Sequence, residues 1–196
     1  LSARLGEFPV RLLGTIRPTP KGQSLDLTVL APEVTLGPAA RAFLSPGAQK
    51  VYDDLQPQGR VAVAFHLTSD PTTGASRHWT EVTCLQGCSV EHRSFPLRLT
   101  GLMGTFRVEG TGRTNFTGMK GRLGSAVVEV TDGTYEPKRG LAFTLRASGL
   151  ALDERLAAAL PETWRKVWKE VGPTGSANVE YQYASSPTDP EHPRQK

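Results

Sequence analysis

"LDLTVLAPEVTLGPAARAFLSPGAQKVYDDLQPQGRVAVAFHLTSD", residues 25–70, decides the fold, because the chain uses the same pattern again further on. Residues 141–186, "LAFTLRASGLALDERLAAALPETWRKVWKEVGPTGSANVEYQYASS", align with it without a gap at a constant offset of 116. Identities include Leu25, Thr28, Ala31, Ala42, Leu44, Lys50, Val51, Pro57, Gly59, Val63 and Ser69, against roughly three expected from ordinary composition. Each copy opens with a strand that alternates at period two: Leu25, Leu27, Val29 and Ala31, then Leu141, Phe143, Leu145 and Ala147. Proline at Ser45-Pro46 and Leu160-Pro161 divides the next segment into two helical pieces, since proline fits a first turn and not a helix interior. In the second piece Ala48, Val51, Tyr52 and Leu55 correspond to Trp164, Val167, Trp168 and Val171, an apolar stripe at i, i+3, i+4, i+7. Gln56-Pro57 and Gly172-Pro173 end it. A closing strand carries Val61, Val63, Phe65 and Leu67, or Ala177, Val179, Tyr181 and Tyr183.

Working outward, "ARLGEFPVRLLGTIRPTPKG" (3–22) echoes "GRLGSAVVEVTDGTYEPKRG" (121–140). Between the copies, "HWTEVTCL", "CSVEHR", "FPLRLTGLMGTFRVEG" (95–110) and "RTNFTGM" predict further strands, with 95–110 read as two short strands meeting at a turn. The chain therefore divides into the end of one module (1–70), a second module (71–186) and a polar, proline-rich tail or linker (187–196).

Composition agrees with a β-rich globular chain: 38% hydrophobic, 21% charged, 20 glycines and 15 prolines in 196 residues. No run of about 18 apolar residues is present to span a membrane. The start lacks both Met and a charged-then-apolar leader, which reads as an excised or processed piece with any anchor or export signal outside it. The net charge of +4 is mild, carries no nucleic-acid signature, and is compatible with anionic lipid head groups.

Catalysis and cofactors are not expected. The sequence holds no nucleophile elbow, zinc-binding helix, phosphate loop or dinucleotide fingerprint. Asp53-Asp54 and Asp153-Glu154 sit at expected helix ends, where capping and solvation account for carboxylates. Cys84 and Cys88 read as two packed free thiols, although a turn at Gln86-Gly87 could bring them into bonding distance. His66, His78 and His92 lack metal-ligand spacing, so no metal is expected, and Asn115-Phe-Thr117 matters as a sequon only in a eukaryotic secretory protein.

These patterns predict a mainly β fold: a strongly curled antiparallel sheet with one or two short amphipathic helical braces. Strands joined by Gly/Pro turns give such a sheet one wet and one apolar face. Two or three helical pieces cannot cover ten or so strands, so the remaining apolar face must meet itself, a neighbouring module or a ligand.

The strand bearing Trp79, then "GCSVEHRSFPLRLTGLMGTFRVEG" (87–110) and "GMKGRLGSAVVEVTDG" (118–133), resembles the module of AsmA/TamB-like proteins. The Leu150–Leu152 helix entry and the Pro173–Gly175 exit look like the rest of it, so the resemblance covers nearly all of 3–186. These are bacterial relatives of chorein-type bridge-like lipid transporters. The resemblance implies a periplasmic protein of the cell envelope, anchored in the inner membrane, whose stacked β-modules form a groove carrying phospholipid for outer-membrane lipid homeostasis. Carried over, the lipid-binding floor comprises Leu97, Leu99, Phe106, Val108, Val128, Val130, Phe143, Leu145, Val179 and Tyr181. The implied partners are phospholipid, neighbouring modules of the same chain, and a membrane contacted through segments outside this piece. Two departures stand out: the anchor is absent here, and the amphipathic helix is longer than a minimal groove needs, leaving open whether it lines, plugs or braces the groove. The competing reading is a structural or interaction β-sandwich module of an envelope protein with no ligand.

Overall fold

A computed structural model describes residues 1–44, 46–93, 95–186 and 189–195. The first half contains β1 (Ser2–Leu5), β2 (Phe8–Thr19), β3 (Gly22–Thr35), α1 (Pro38–Ala42), α2 (Pro46–Leu55), β4 (Arg60–Asp70), β5 (Ala75–Cys84) and β6 (Val90–His92). The second half contains β7 (Phe95–Glu109), β8 (Thr114–Leu123), β9 (Ala126–Glu136), β10 (Gly140–Ala151), α3 (Glu154–Ala159), α4 (Glu162–Val171), β11 (Ser176–Ser186) and β12 (Asp189–Gln195).

The strands form one antiparallel meander, β1-β2-β3-β4-β5-β7-β8-β9-β10-β11-β12, with β6 as a short side strand on β7. The mainly β, antiparallel reading with short helical pieces therefore describes the molecule. Its finer part does not: the sheet is neither closed nor strongly curled, and β1 and β12 remain as separate edges. Residues 95–110 also differ from expectation, forming the single strand β7 instead of two strands meeting at a turn. Its irregularities fall between Thr100 and Met103 and between Met103 and Thr105, where Gly101 (φ 59°) and Gly104 (φ 118°) take the left-handed backbone of bulges. A bulge kinks the strand without reversing it. Within the tail, Asp189–Gln195 pairs with β11 as an edge strand, where Pro190 and Pro193 are tolerated because an outer edge needs no donors. Residues 187, 188 and 196 lie outside the described ones.

Local chemistry explains the helical pieces. Asp153 caps α3, its side chain accepting from the Leu156 N–H at 3.0 Å. Pro161 precedes α4, Glu162 and Lys169 suit the charges of its two ends, and Gly172 ends it in the left-handed conformation with its N–H on the Trp168 carbonyl. Both helical pairs leave the sheet at the same end of the strands: α1–α2 join the end of β3 to the start of β4, and α3–α4 join β10 to β11.

That end holds the core. Phe8, Val34, Val61, Cys88 and Leu102 form one buried cluster, with Ala39 and Ala40 of α1 packed against it. Ala126, Val128 and Ala147 are buried beside it in the sheet, and Leu156 and Ala159 are buried on α3, which lies against β7. Among the described residues nothing comparable fills the other end. The accessible surface is 13124 Å² for 21.2 kDa, whereas a compact globule of that mass exposes about 9,000 Å².

Candidate functional site

Strand register decides which side chains share a face, because residues directly paired across antiparallel strands point the same way. Leu12 pairs with Val29, Val29 with Phe65, Phe65 with Thr80, Thr80 with Val108, Val108 with Thr114 and Thr114 with Tyr135. Tyr135 then pairs with Leu141 on β10, whose Phe143 and Leu145 pair with Tyr183 and Tyr181 of β11. A second row runs Ala31, Val63, Val82, Phe106 and Phe116. A third runs Gly121, Val128, Ala147 and Val179. All lie on one side of the sheet, from β2 to β11. Neighbouring strands stand about 4.8 Å apart, so the face is on the order of 40 Å across.

None of the paired positions in these rows is Asp, Glu, Lys or Arg; the charge has gone to the other face. There Arg107 pairs with Glu81 and Glu109, Lys120 with Glu129, and Arg146 with Glu180. Trp79 is sandwiched on that side, stacked on the His66 ring at 4.8 Å with the Arg107 guanidinium 4.5 Å from its centroid. His66 is held in turn by the Thr28 hydroxyl at 3.0 Å. The wet face thus pairs several of its charges locally, while the rows of the apolar face carry Thr and Tyr hydroxyls but no charged side chain.

Burial along the apolar face is uneven. At the helix end Val61 is 3% exposed and Val128 4%, although Val179 in the row of Val128 is 38% exposed; farther along, Phe65, Leu12 and Tyr135 are 37%, 41% and 41% exposed, and Ile16 57%. The ten floor residues expected from sequence divide accordingly. Val128 is buried and Leu99 packs on the core cluster, so these two serve the helix end. Phe106, Val108, Val130, Phe143, Leu145 and Tyr181 are half-buried on the open stretch, Val179 is exposed near the helix end at the start of β11, and Leu97 is half-buried near the start of β7. Phe143, Tyr181 and Tyr183 form an aromatic group, with Phe143 stacked on Tyr183 at 5.2 Å and Tyr181 6.5 Å from Phe143. Burial, and then the neighbouring Tyr183, raise the Tyr181 phenol above its ordinary pKa. Missing from the expected floor are Leu12, Ile16, Val29, Val63, Phe65, Phe116, Tyr135 and Leu141, although register places them on the same face.

The helices brace one end of this face and do not line its length. α1 and α3 cover the core, α2 lies against β6, and α3 is the only element in substantial contact with α4 among the described residues. The cysteines are free: Cys88 is buried with its thiol donating to the Arg60 carbonyl, and burial together with Cys88 pushes the Cys84 thiol up to about 12. Such thiols are inert packing groups at neutral pH. Among the described residues no cluster of His, Cys, Asp and Glu could hold a metal, and no helix is long and apolar enough to cross a membrane. Comparison with protein-family models, with curated proteins and with solved structures finds no match to this chain.

Proposed function

We propose that this chain is a segment of a periplasmic, bridge-like lipid-transfer protein whose apolar sheet face carries phospholipid acyl chains as the floor of a trough. The observation that carries the reading is the apolar face itself: continuous over nine strands, without Asp, Glu, Lys or Arg at its paired positions, and left partly bare beyond the helix end. A bilayer's hydrocarbon core is about 30 Å thick, so one acyl chain reaches about 15 Å, well within a floor on the order of 40 Å across. Tyr181 and Tyr183 combine an apolar ring with a polar tip, which suits the boundary between acyl chain and water. The two open edges, β1 and β12, supply backbone for neighbouring modules of the parent chain to extend the same face. Phospholipid binding needs no metal, nucleotide or redox cofactor. The parent is anchored in the inner membrane in this reading, and it serves envelope lipid homeostasis.

Photo-crosslinking amino acids placed at Val63 and Phe143 on the apolar face, and at Ala64 and Thr144 on the wet face, test this in protein recovered from bacterial membranes. Phospholipid captured from the first pair and not the second is the expected result. Equal capture, or none, removes the lipid reading in favour of a ligand-free structural module. Phe143→Asp should sharply reduce recovered phospholipid while the chain stays folded, because Phe143 sits on the half-buried stretch and not in the core cluster.

A further inference from the structure

The feature that the trough does not use is α4. On a helical wheel Trp164, Val167, Trp168 and Val171 occupy one side, and Glu162, Arg165, Lys166, Lys169 and Glu170 the other. Such a stripe normally faces a core. Here it does not: Trp164 is 58% exposed and Val171 70%, no residue of α4 is buried, Trp168 is half-buried, and among the described residues α3 provides the main partial cover. Two of the chain's three tryptophans stand on this helix.

Its counterpart by sequence offset, α2, shows what a protein cover looks like. α2 is met by β6, the Asp54 carbonyl accepts the Arg93 N–H at 3.0 Å, and Asp53 lies near the charges of Arg41 and Arg93. A cover of that kind presents arginine to an acidic helix. α4 has Lys169 at the position of Asp53, so the same strap would set cation against cation. Lys166 is paired with Glu162 at 3.6 Å, whereas Arg165 and Lys169 form no ion pair among the described residues. The surface that complements α4 is therefore negative and apolar at once. Tryptophan favours the boundary between hydrocarbon and polar head groups, and lysine or arginine beside it gains from anionic lipid.

We propose that α4 docks on the surface of an anionic phospholipid bilayer, lying in the interface with Trp164, Trp168, Val167 and Val171 inserted and Arg165 and Lys169 among the head groups. The trough's helix end is thereby held against a membrane. This surface contact is distinct from acyl chains lying on the sheet, and it stands whether or not the sheet carries them.

Flotation of the full chain with vesicles of phosphatidylcholine alone, or with phosphatidylglycerol added, tests it. Binding to the anionic vesicles, a blue shift of tryptophan emission, and loss of binding above about 0.5 M salt, where the Debye length shrinks to a few Å, are expected. Each of Arg165→Gln and Lys169→Gln should weaken binding about fivefold, and the pair about thirtyfold. Trp164→Ser should weaken binding and reduce the blue shift to what Trp168 alone supplies, while circular dichroism stays unchanged, since the Trp164 side chain is exposed. Equal binding to both vesicle types, no binding, or binding indifferent to these variants overturns the proposal. A mass that doubles with concentration and returns to monomer in Trp164→Ser assigns the stripe to a second copy and overturns it too. Recovered phospholipid is a separate readout, so failure here leaves the sheet reading to its own test.

Discussion

The β3–α1–α2–β4 unit and the β10–α3–α4–β11 unit are built alike and finished differently. In both, the strand pair slips register at the same place: between Ala31 and Val34 opposite Val63 and Val61, and between Ala147 and Leu150 opposite Val179 and Ala177. Both close with the same backbone bond, the Leu36 N–H on the Gly59 carbonyl at 2.9 Å and the Leu152 N–H on the Gly175 carbonyl at 3.0 Å. The first unit then receives a strap. Ser89 and Gln58 exchange backbone bonds at 2.9 Å, bringing buried Cys88 against Val34 and Val61. Among the described residues no strap reaches the second unit's α4. The strand–helix–helix–strand pattern is enough to shape the backbone and to bury Ala147, Leu156 and Ala159 in the second unit, whereas the Val34–Val61–Cys88 cluster forms where another segment lies across the first.

Equivalent positions in the two units should therefore break unequally. Val61 and Ala177 correspond, yet Val61 is in the core cluster and Ala177 is only half-buried. Val61→Asp buries an unpaired carboxylate and should cost more than about 4 kcal/mol, or prevent folding. Ala177→Asp can reach water and should cost about 1 kcal/mol. Urea unfolding of both variants measures the gap, and similar losses would show that the second unit is sealed after all.

Gly59 and Gly175 give a finer version. Both have strongly positive φ, 109° and 93°, so any side chain is strained at either. A Cβ at Gly59 would also stand 2.5 Å from the Gly87 carbonyl oxygen and 2.6 Å from the Cys88 Cα, whereas at Gly175 nothing lies within 4 Å. Gly59→Ala should cost about 3 kcal/mol or more by forcing the strap away, and Gly175→Ala about 1–2 kcal/mol from the backbone alone. Thermal unfolding separates them, and with the strap displaced Cys88 should become open to thiol reagents only in Gly59→Ala.

Legibility in the sequence splits along the same line. Period-two alternation made the strands legible, and proline spacing marked the two helical pieces of each unit, because both are local signals. The bulges of β7 were not local: a glycine with positive φ serves a turn or a bulge equally, and only pairing with β5 and β8 decides. Part of the apolar face, Val29, Val63 and Phe65 of the residues missed, was available by carrying the offset across. Phe143, Leu145, Val179 and Tyr181 correspond to Leu27, Val29, Val63 and Phe65, which register places on the same side. The core could not be read, since it depends on the segment around Cys88 folding back over residues nearly thirty positions earlier.

The smallest contrast is electrostatic. Arg41 of α1 clamps Asp53 of α2 with two bonds of 2.7 Å, while the corresponding positions at α3 and α4 are Ala157 and Lys169. The bidentate bond from Arg41, aided by the charges of Arg41 and Arg93, holds the Asp53 carboxyl below its ordinary 3.8. A depressed carboxylate contributes stability that is fully present above the unfolded value and lost as pH falls through the folded one. Acid should therefore loosen α1 from α2 below about pH 4 and leave the α3–α4 junction to other groups. Because the pair is exposed its contribution is modest, so the measurement is a difference: melting temperature against pH for the protein and for Asp53→Asn. The two curves should be separated at neutral pH and converge as the solution is acidified past the carboxylate's titration. Curves that stay parallel down to the most acid point would mean that the clamp contributes nothing, and that the contrast between the units lies in the strap alone.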